Sequence, residues 1–184
     1  VPSPSAAFRY LSAFHDEDQE GKRKEGKAFI PVPNEHLRGL PKVNQGMAAF
    51  IQKRNPQKTA TLDQDATLVE TAKRDALFSY KGFKSYQPLN TWWAEQQMLL
   101  HTEFRDGNVP AGYEQLRVLK ESLSLLPEGI EQVRLRSDTA GYQHSLLRYC
   151  ESGEDRRFGR IEFAVGADVT PEFKKAVLTE VSEK

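Results

Sequence analysis

Three aspartates carry the most suggestive chemistry in this chain. Asp63 and Asp65 stand two apart in TATLDQDATLVE, and Asp138 ends QVRLRSD. Residues two apart on a strand project from the same face, so the first two acids point the same way. In open α/β sheets, functional groups gather beyond the carboxyl ends of strands. Asp138 occupies such an end, just before TAG and a helix. If the two strands are neighbours, the acids converge. Converging carboxylates repel one another unless a cation lies between them. They are hard oxygen ligands suited to Mg2+ or Mn2+. Two such ions about 4 Å apart activate water and stabilise the leaving oxygen at a phosphodiester. The plainer role for Asp138 is a helix cap, shared with Ser137 or Thr139. Neutral groups would be far cheaper to bury in a strand than two acids, which favours a use for them.

The elements that must position these acids follow from periodicity. From Lys58, Ala60, Leu62, Gln64, Ala66 and Leu68 share one strand face, and Thr61, Asp63, Asp65, Thr67 and Val69 share the other. SYQPLNTWW and MLLHTEF are rich in strand formers, with AEQQ as a hairpin connection. Pro110 leads into a helix with Tyr113, Leu116, Leu119, Leu123 and Leu126 on one face, stopped by PEG at 127–129. QVRLRSD sets Val133 and Leu135 opposite Arg134, Arg136 and Asp138. A helix with Tyr142, Leu146, Tyr149 and Cys150, the strand RIEFAV and a helix from Thr170-Pro171 complete the order. Three consecutive strands pair as an antiparallel meander, and strands reached through helices add parallel to the first. The fold class is therefore α/β, a mixed sheet with helices packed on it.

Residues 1–56 read as a small helical segment. Ser3 and Pro4 open a helix with Phe8, Leu11 and Phe14 at helical spacing. HDEDQEGKRKEGK is expected to be an exposed linker, with Lys22, Arg23, Lys24 and Lys27 as the alternative phosphate contacts. Leu37, Leu40, Val43, Met47, Phe50 and Ile51 mark another helix, capped by Asn34 and broken or kinked at Pro41. The expected division is an N-terminal helical segment and linker over 1–56, then the α/β core over 57–184.

Composition sets the outer bounds. The 184 residues are 38% hydrophobic and 28% charged, which excludes a disordered chain. Lys plus Arg number 26 and Asp plus Glu number 26, so no overall basic charge points to nucleic acid. Cys150 is the sole cysteine, expected in the core, and leaves no internal disulfide. The four histidines are too scattered for a zinc site. No apolar run reaches the roughly 18 residues of a membrane helix. The first residue is Val, so a processed product or a piece of a longer chain is expected.

The long stretches LDQDATLVETAKRDALFSYKGFKSYQPLNTWWAEQ, EFRDGNVPAGYEQLRVL and RLRSDTAGYQHSLLRYCE resemble bacterial insertion-sequence transposases of the DDE superfamily. SPSAAFRYLSAF and EHLRGLPKVN extend the resemblance over most of the chain. It implies a ribonuclease H-like core: a three-strand meander, then helix, strand, helix, strand, helix. It implies DNA strand cleavage and transfer at insertion-sequence ends, with Mg2+ or Mn2+ as cofactor in a two-metal site. The first catalytic acid falls in LDQDAT, with Asp65 preferred and Asp63 its rival, and the second is Asp138. The third is a glutamate on a helix after the fifth strand. Glu162 lies on that strand, Glu172 and Glu180 lie before the family's usual insertion, and the third acid is expected past Lys184. The chain would then hold two of three ligands, bind metal weakly and be inactive alone. Terminal inverted repeats and target DNA are the implied partners, with a homodimer in the full-length protein and a bacterial cytoplasmic location at the nucleoid.

DNA contacts need basic groups near the acids. Lys73, Arg74, Lys81 and Lys84 lie between the first two strands, interleaved with Phe78, Tyr80, Phe83 and Tyr86. Arg134 and Arg136 share a face with Asp138 and would contact phosphate or pair with the carboxylates. Of Trp92 and Trp93, only one can face inward. Two other functions fit parts of the pattern. Asp63-x-Asp65-x-Thr67 matches the DxDxT stretch of haloacid-dehalogenase-like phosphatases, although that fold places a helix after its first strand. A non-catalytic DNA-binding or assembly module is the third class.

Overall fold

The computed structural model describes residues 2–182 and the side chains of residues 2–179. Three helices come first. Helix α1 (Pro4–Ser12) starts as expected, with the Ala6 N–H donating to Ser3 Oγ at 3.2 Å and proline in the first turn. Helix α2 (Glu17–Arg23) replaces the expected exposed linker. Its local cause is Asp16, which accepts from the Asp18 and Gln19 N–H groups at 3.1 Å each, with acids in the first turn and bases in the last. Its tertiary cause is Arg23, which donates from Nε to Asp106 Oδ2 at 2.9 Å and from Nη2 to Oδ1 at 2.7 Å. Burial favours the neutral guanidine, but hydrogen bonds to Asp106 and Tyr86 and the charges of Asp106 and Glu20 outweigh it and hold the Arg23 pKa above its ordinary value.

Helix α3 (Glu35–Arg54) is capped by Asn34, whose Oδ1 accepts from the Leu37 N–H at 3.0 Å. It runs on through Pro41, where a break or kink was expected. Proline there forfeits one bond, while Ala48 and Ile51 further along tie the helix to the core. Asn44 Nδ2 donates to the Leu100 carbonyl at 3.2 Å, so α3 also covers the edge of the sheet.

The sheet begins with β1 (Thr59–Ala66). A two-residue ribbon follows, β2 (Val69–Glu70) with β3 (Ser85–Tyr86). It is an insertion in the expected meander, because Gln87-Pro88 divides SYQPLNTWW in two. The meander resumes with β4 (Leu89–Trp93) and β5 (Met98–Glu103). Helix α4 (Gln115–Leu125) leads to β6 (Gln132–Ser137) and a 3-10 turn at Thr139–Gly141. Helix α5 (His144–Ser152) leads to β7 (Glu162–Val165), and α6 (Pro171–Ser182) follows. The order across the sheet is β5-β4-β1-β6-β7. The first three are antiparallel neighbours and the last three parallel ones. This is the expected ribonuclease H-like arrangement.

Alternation sorts β1 into two faces. Leu62 and Leu135 pair on the inner face and pack with Leu119 and Leu123 of α4 and Leu146 of α5. Each fully buried leucine contributes about 1.5–3 kcal/mol. Trp93 is buried with them and Trp92 is 41% exposed on the other face. On α6 the apolar side chains Phe173 and Val177 are exposed. Cys150 is a core residue, and burial pushes its thiol up to about 11.

The Arg23–Asp106 pair makes a testable demand. Asp106 is 4% exposed, so Arg23→Ala strands a buried carboxylate. The expected loss is about 3–5 kcal/mol in chemical denaturation. Replacing both residues with apolar ones should recover most of it.

Candidate active site

The β1–β6 ladder places the acids. Thr59 lies opposite Gln132 and Gln64 opposite Ser137, a constant offset of 73. The paired register ends there, and Asp65 and Asp138, also 73 apart, are the next residue of each strand. Adjacent strands lie about 4.8 Å apart, so both acids stand at the carboxyl ends of neighbouring strands. Both are exposed. Asp65 Oδ2 accepts from Thr67 Oγ1 at 3.4 Å. Asp138 Oδ1 accepts from the Ala140 N–H at 3.0 Å, so Asp138 does cap the turn after it. That leaves Asp65 Oδ1 and Asp138 Oδ2 without a partner among the described residues.

Asp63 sits one rung back on the same face, opposite Arg136. The guanidinium holds it in a two-bond fork, with Nε on Oδ1 and Nη2 on Oδ2 at 2.6 Å. The hydrogen bonds to Asp63, then its charge, raise the Arg136 pKa. One further rung back, Arg134 Nε donates to Glu162 Oε2 at 2.8 Å. Glu162 is therefore spent on an ion pair two rungs from the acids. Glu172 opens α6 and is exposed, and the Glu180 side chain lies outside the described residues.

Neighbouring strands continue the acid rung. Asn90 of β4 pairs with Asp65, and Thr102 of β5 pairs with Asn90, donating to its Oδ1 at 2.7 Å. On the other side, Gly166 follows β7 and donates its N–H to the Ser137 carbonyl at 3.1 Å. A Cβ at Gly166 would lie 3.2 Å from the Thr139 nitrogen and 3.3 Å from the Asp138 carbonyl carbon. Only a glycine lets the chain pass this close to the second acid. Nothing in the sequence pattern singled it out.

The basic candidates divide. Arg136 is committed to Asp63, with Nη1 left over. Lys73, Arg74, Lys81 and Lys84 lie in the loop closing the β2–β3 ribbon, which leaves β1 at its acid-bearing end. Arg74 is exposed beside Asp75 at 3.2 Å. Lys73 Nζ lies 5.9 Å from the centre of the Tyr86 ring and Lys81 Nζ 5.8 Å from that of Tyr80. Lys84 Nζ donates to the Arg74 carbonyl at 2.5 Å. Tyr80 and Phe78 are exposed.

The donor set fits a hard divalent cation. It consists of carboxylate oxygens on adjacent strands, unpaired by any side-chain cation and open to solvent. Among the described residues, no group of three or more His, Cys, Asp and Glu side chains is placed to share a metal.

The sequence profile described as "Transposase DDE domain group 1" matches residues 16–183. The chain belongs to that transposase family. A solved structure, the catalytic domain of Mos1 mariner transposase, is similar with a TM-score of 0.41 and 12% identity, over 85% of this chain and 76% of that one. No curated protein matches. The phosphatase alternative is not favoured: in this transposase domain β1 is followed by antiparallel strands, where that fold expects a helix.

Gly166→Ala tests the close approach. The added methyl must push the 138–139 backbone by a few tenths of an ångström. A loss of about 1–2 kcal/mol is expected, with amide shifts in an NMR spectrum concentrated at residues 137–141.

Proposed function

We propose that Asp65 and Asp138 are the first and second metal-ligating acids of a DNA strand-cleaving and strand-joining reaction. What supports this is the β1–β6 ladder, paired as far as Gln64 and Ser137, with each acid the next residue of its strand. Asp63 is assigned a different job. Its carboxylate is neutralised by Arg136, so it serves as that arginine's anchor.

A divalent cation held there, Mg2+ or Mn2+, would supply an activated water nucleophile and stabilise the oxygen leaving the scissile phosphate. The chain's own groups then do the positioning. Arg136, steadied by Asp63, offers its remaining N–H groups to a DNA phosphate beside the acids. Lys73, Arg74, Lys81 and Lys84 neutralise the flanking backbone from the ribbon loop, a sequence-independent attraction that weakens with salt. Strand transfer uses the same in-line displacement, with the freed 3′ hydroxyl taking the place of water. A homodimer is the assembly that cuts both element ends. Action on the chromosome places the protein in the cytoplasm. Among the described residues no helix is long and apolar enough to cross a membrane.

Metal binding and nicking separate these roles. In a protein that carries the third acid, Asp65→Asn or Asp138→Asn should abolish Mn2+-dependent nicking of terminal-repeat DNA, while DNA binding in chelator persists. Full nicking by either variant would sink the assignment.

Arg136→Met gives an independent reading in the 184-residue chain. It removes one positive charge from the rung next to the acids and frees Asp63. Mn2+ affinity should rise about three-fold or more, as expected for one unit charge in a water-like dielectric. A fall would count against a cation site at this rung.

A further inference from the structure

Directly beneath the acid rung, on the inner face of the sheet, lies a set of polar groups with no use in the reaction above. Gln64 stands between Asp63 and Asp65 and points the other way. It is 1% exposed, and neither its Nε2 nor its Oε1 has a hydrogen-bond partner. Its ladder partner is Ser137, the residue just before Asp138, and Ser137 Oγ is likewise buried and unpartnered. Gln115 opens α4 and is 1% exposed. Its Nε2 donates to the Ala111 carbonyl at 3.3 Å, while its Oε1 has no partner. Gly141 lies against two of them, Ser137 Oγ and Gln115 Oε1. A Cβ there would lie 2.5 Å from Ser137 Oγ and 3.4 Å from Gln115 Oε1.

A glutamine in the middle of a core-facing strand is costly. A buried amide or hydroxyl without a partner loses about 1–3 kcal/mol relative to a satisfied one. Here four such atoms lie on Gln64, Ser137 and Gln115, the first two residues paired at the carboxyl ends of β1 and β6. Their chemistry is complementary to one small ligand: Gln64 Nε2 offers donors, Gln115 Oε1 and Gln64 Oε1 offer acceptors, and Ser137 can do either. Buried waters typically make about three hydrogen bonds to polar groups of this kind.

We infer that Gln64, Ser137 and Gln115 enclose an internal water that positions the two acid-bearing strand ends. The water ties the strand carrying Asp65 to the residue preceding Asp138. Through Gly141 it also steadies the 3-10 turn that Asp138 caps. Gln64 is thus a positioning residue, acting through the backbone on either side of the acids. The positioning half of this inference rests on the reading of Asp65 and Asp138 as metal ligands; the water site itself does not.

The test uses the 184-residue chain with two measurements. Water 17O relaxation dispersion counts long-lived internal waters, and Mn2+ titration followed by electron paramagnetic resonance reads the acid pair. Gln64→Leu removes both amide functions at similar volume. It should lose one long-lived water, keep its thermal midpoint, and bind Mn2+ about ten-fold more weakly, as expected for loss of an outer-shell support. Ser137→Ala should behave in the same direction, and decides the matter if Gln64→Leu does not fold. Asp65→Asn should lose Mn2+ binding and keep the water. An unchanged water count in the folded variants overturns the internal site. Loss of the water with unchanged Mn2+ affinity overturns the positioning role. Unaltered Mn2+ binding by Asp65→Asn overturns the metal reading alone and leaves the water count to judge the site.

Discussion

Parallel pairing of β1 with β6 at an offset of 73 is the constraint from which the rest of the site follows. At that offset, Ala60 meets Val133 and Leu62 meets Leu135 on the inner face. On the outer face the rungs read Thr61 with Arg134 and Asp63 with Arg136, and Asp65 and Asp138 are the next outer positions of the two strands. A slip of one residue would turn one strand's apolar set outward, which the buried leucines forbid. A slip of two would keep the faces but break the Asp63–Arg136 fork, setting Asp63 against Arg134 in one direction and against Asp138 in the other. The Asp63–Arg136 fork therefore acts as a register pin. It is the rung where opposite charges must meet if the next rung is to hold two like charges.

A like-charged rung is unfavourable by itself, and its placement keeps that cost small. It lies at the strand ends, exposed, where water screens the repulsion. The same placement keeps the unpaired oxygens accessible. The surroundings are less forgiving. Gly166 passes against the Asp138 backbone at contact distance, and the Asp138 side chain is half committed to the turn that follows it. The second acid is thus held by the close approach of Gly166 and by the turn its side chain caps, while the first is carried on a central strand paired on both edges.

Charge pairing also explains how a chain with no net charge is organised. Several of its cations are not available to a phosphate. Arg23 is buried on Asp106, Arg134 is paired with Glu162, and Arg117 is shared between Glu103, Glu114 and Glu121. The cations left near the acids lie mainly in the ribbon loop, flanked by exposed aromatics. Helix α2 is part of this arrangement, because its Arg23 anchors it to the segment just after β5. That contact spans 83 residues, and no local pattern in an acidic-then-basic stretch distinguishes a docked helix from a solvated linker.

Much of this protein was legible in its sequence, because alternation and helical spacing are local. The faces of β1, the burial of one tryptophan of the Trp92-Trp93 pair, the helix caps at Ser3 and Asn34, and the order of strands and helices all follow from neighbours a few residues apart. So did the three candidate acids, and the profile match extends the family resemblance over residues 16–183. Other features needed the third dimension. Asp63 and Asp65 are equivalent in sequence, being two apart on one face. Only the strand beside them distinguishes the two, by setting an arginine against one and an acid beside the other. The same holds for Pro41 inside α3, where tertiary packing outweighs one lost hydrogen bond, and for Gly166, whose neighbour is 28 residues away. Periodicity specifies which way a side chain points; what it meets there depends on register between distant segments, and that is settled only when the sheet closes over its core.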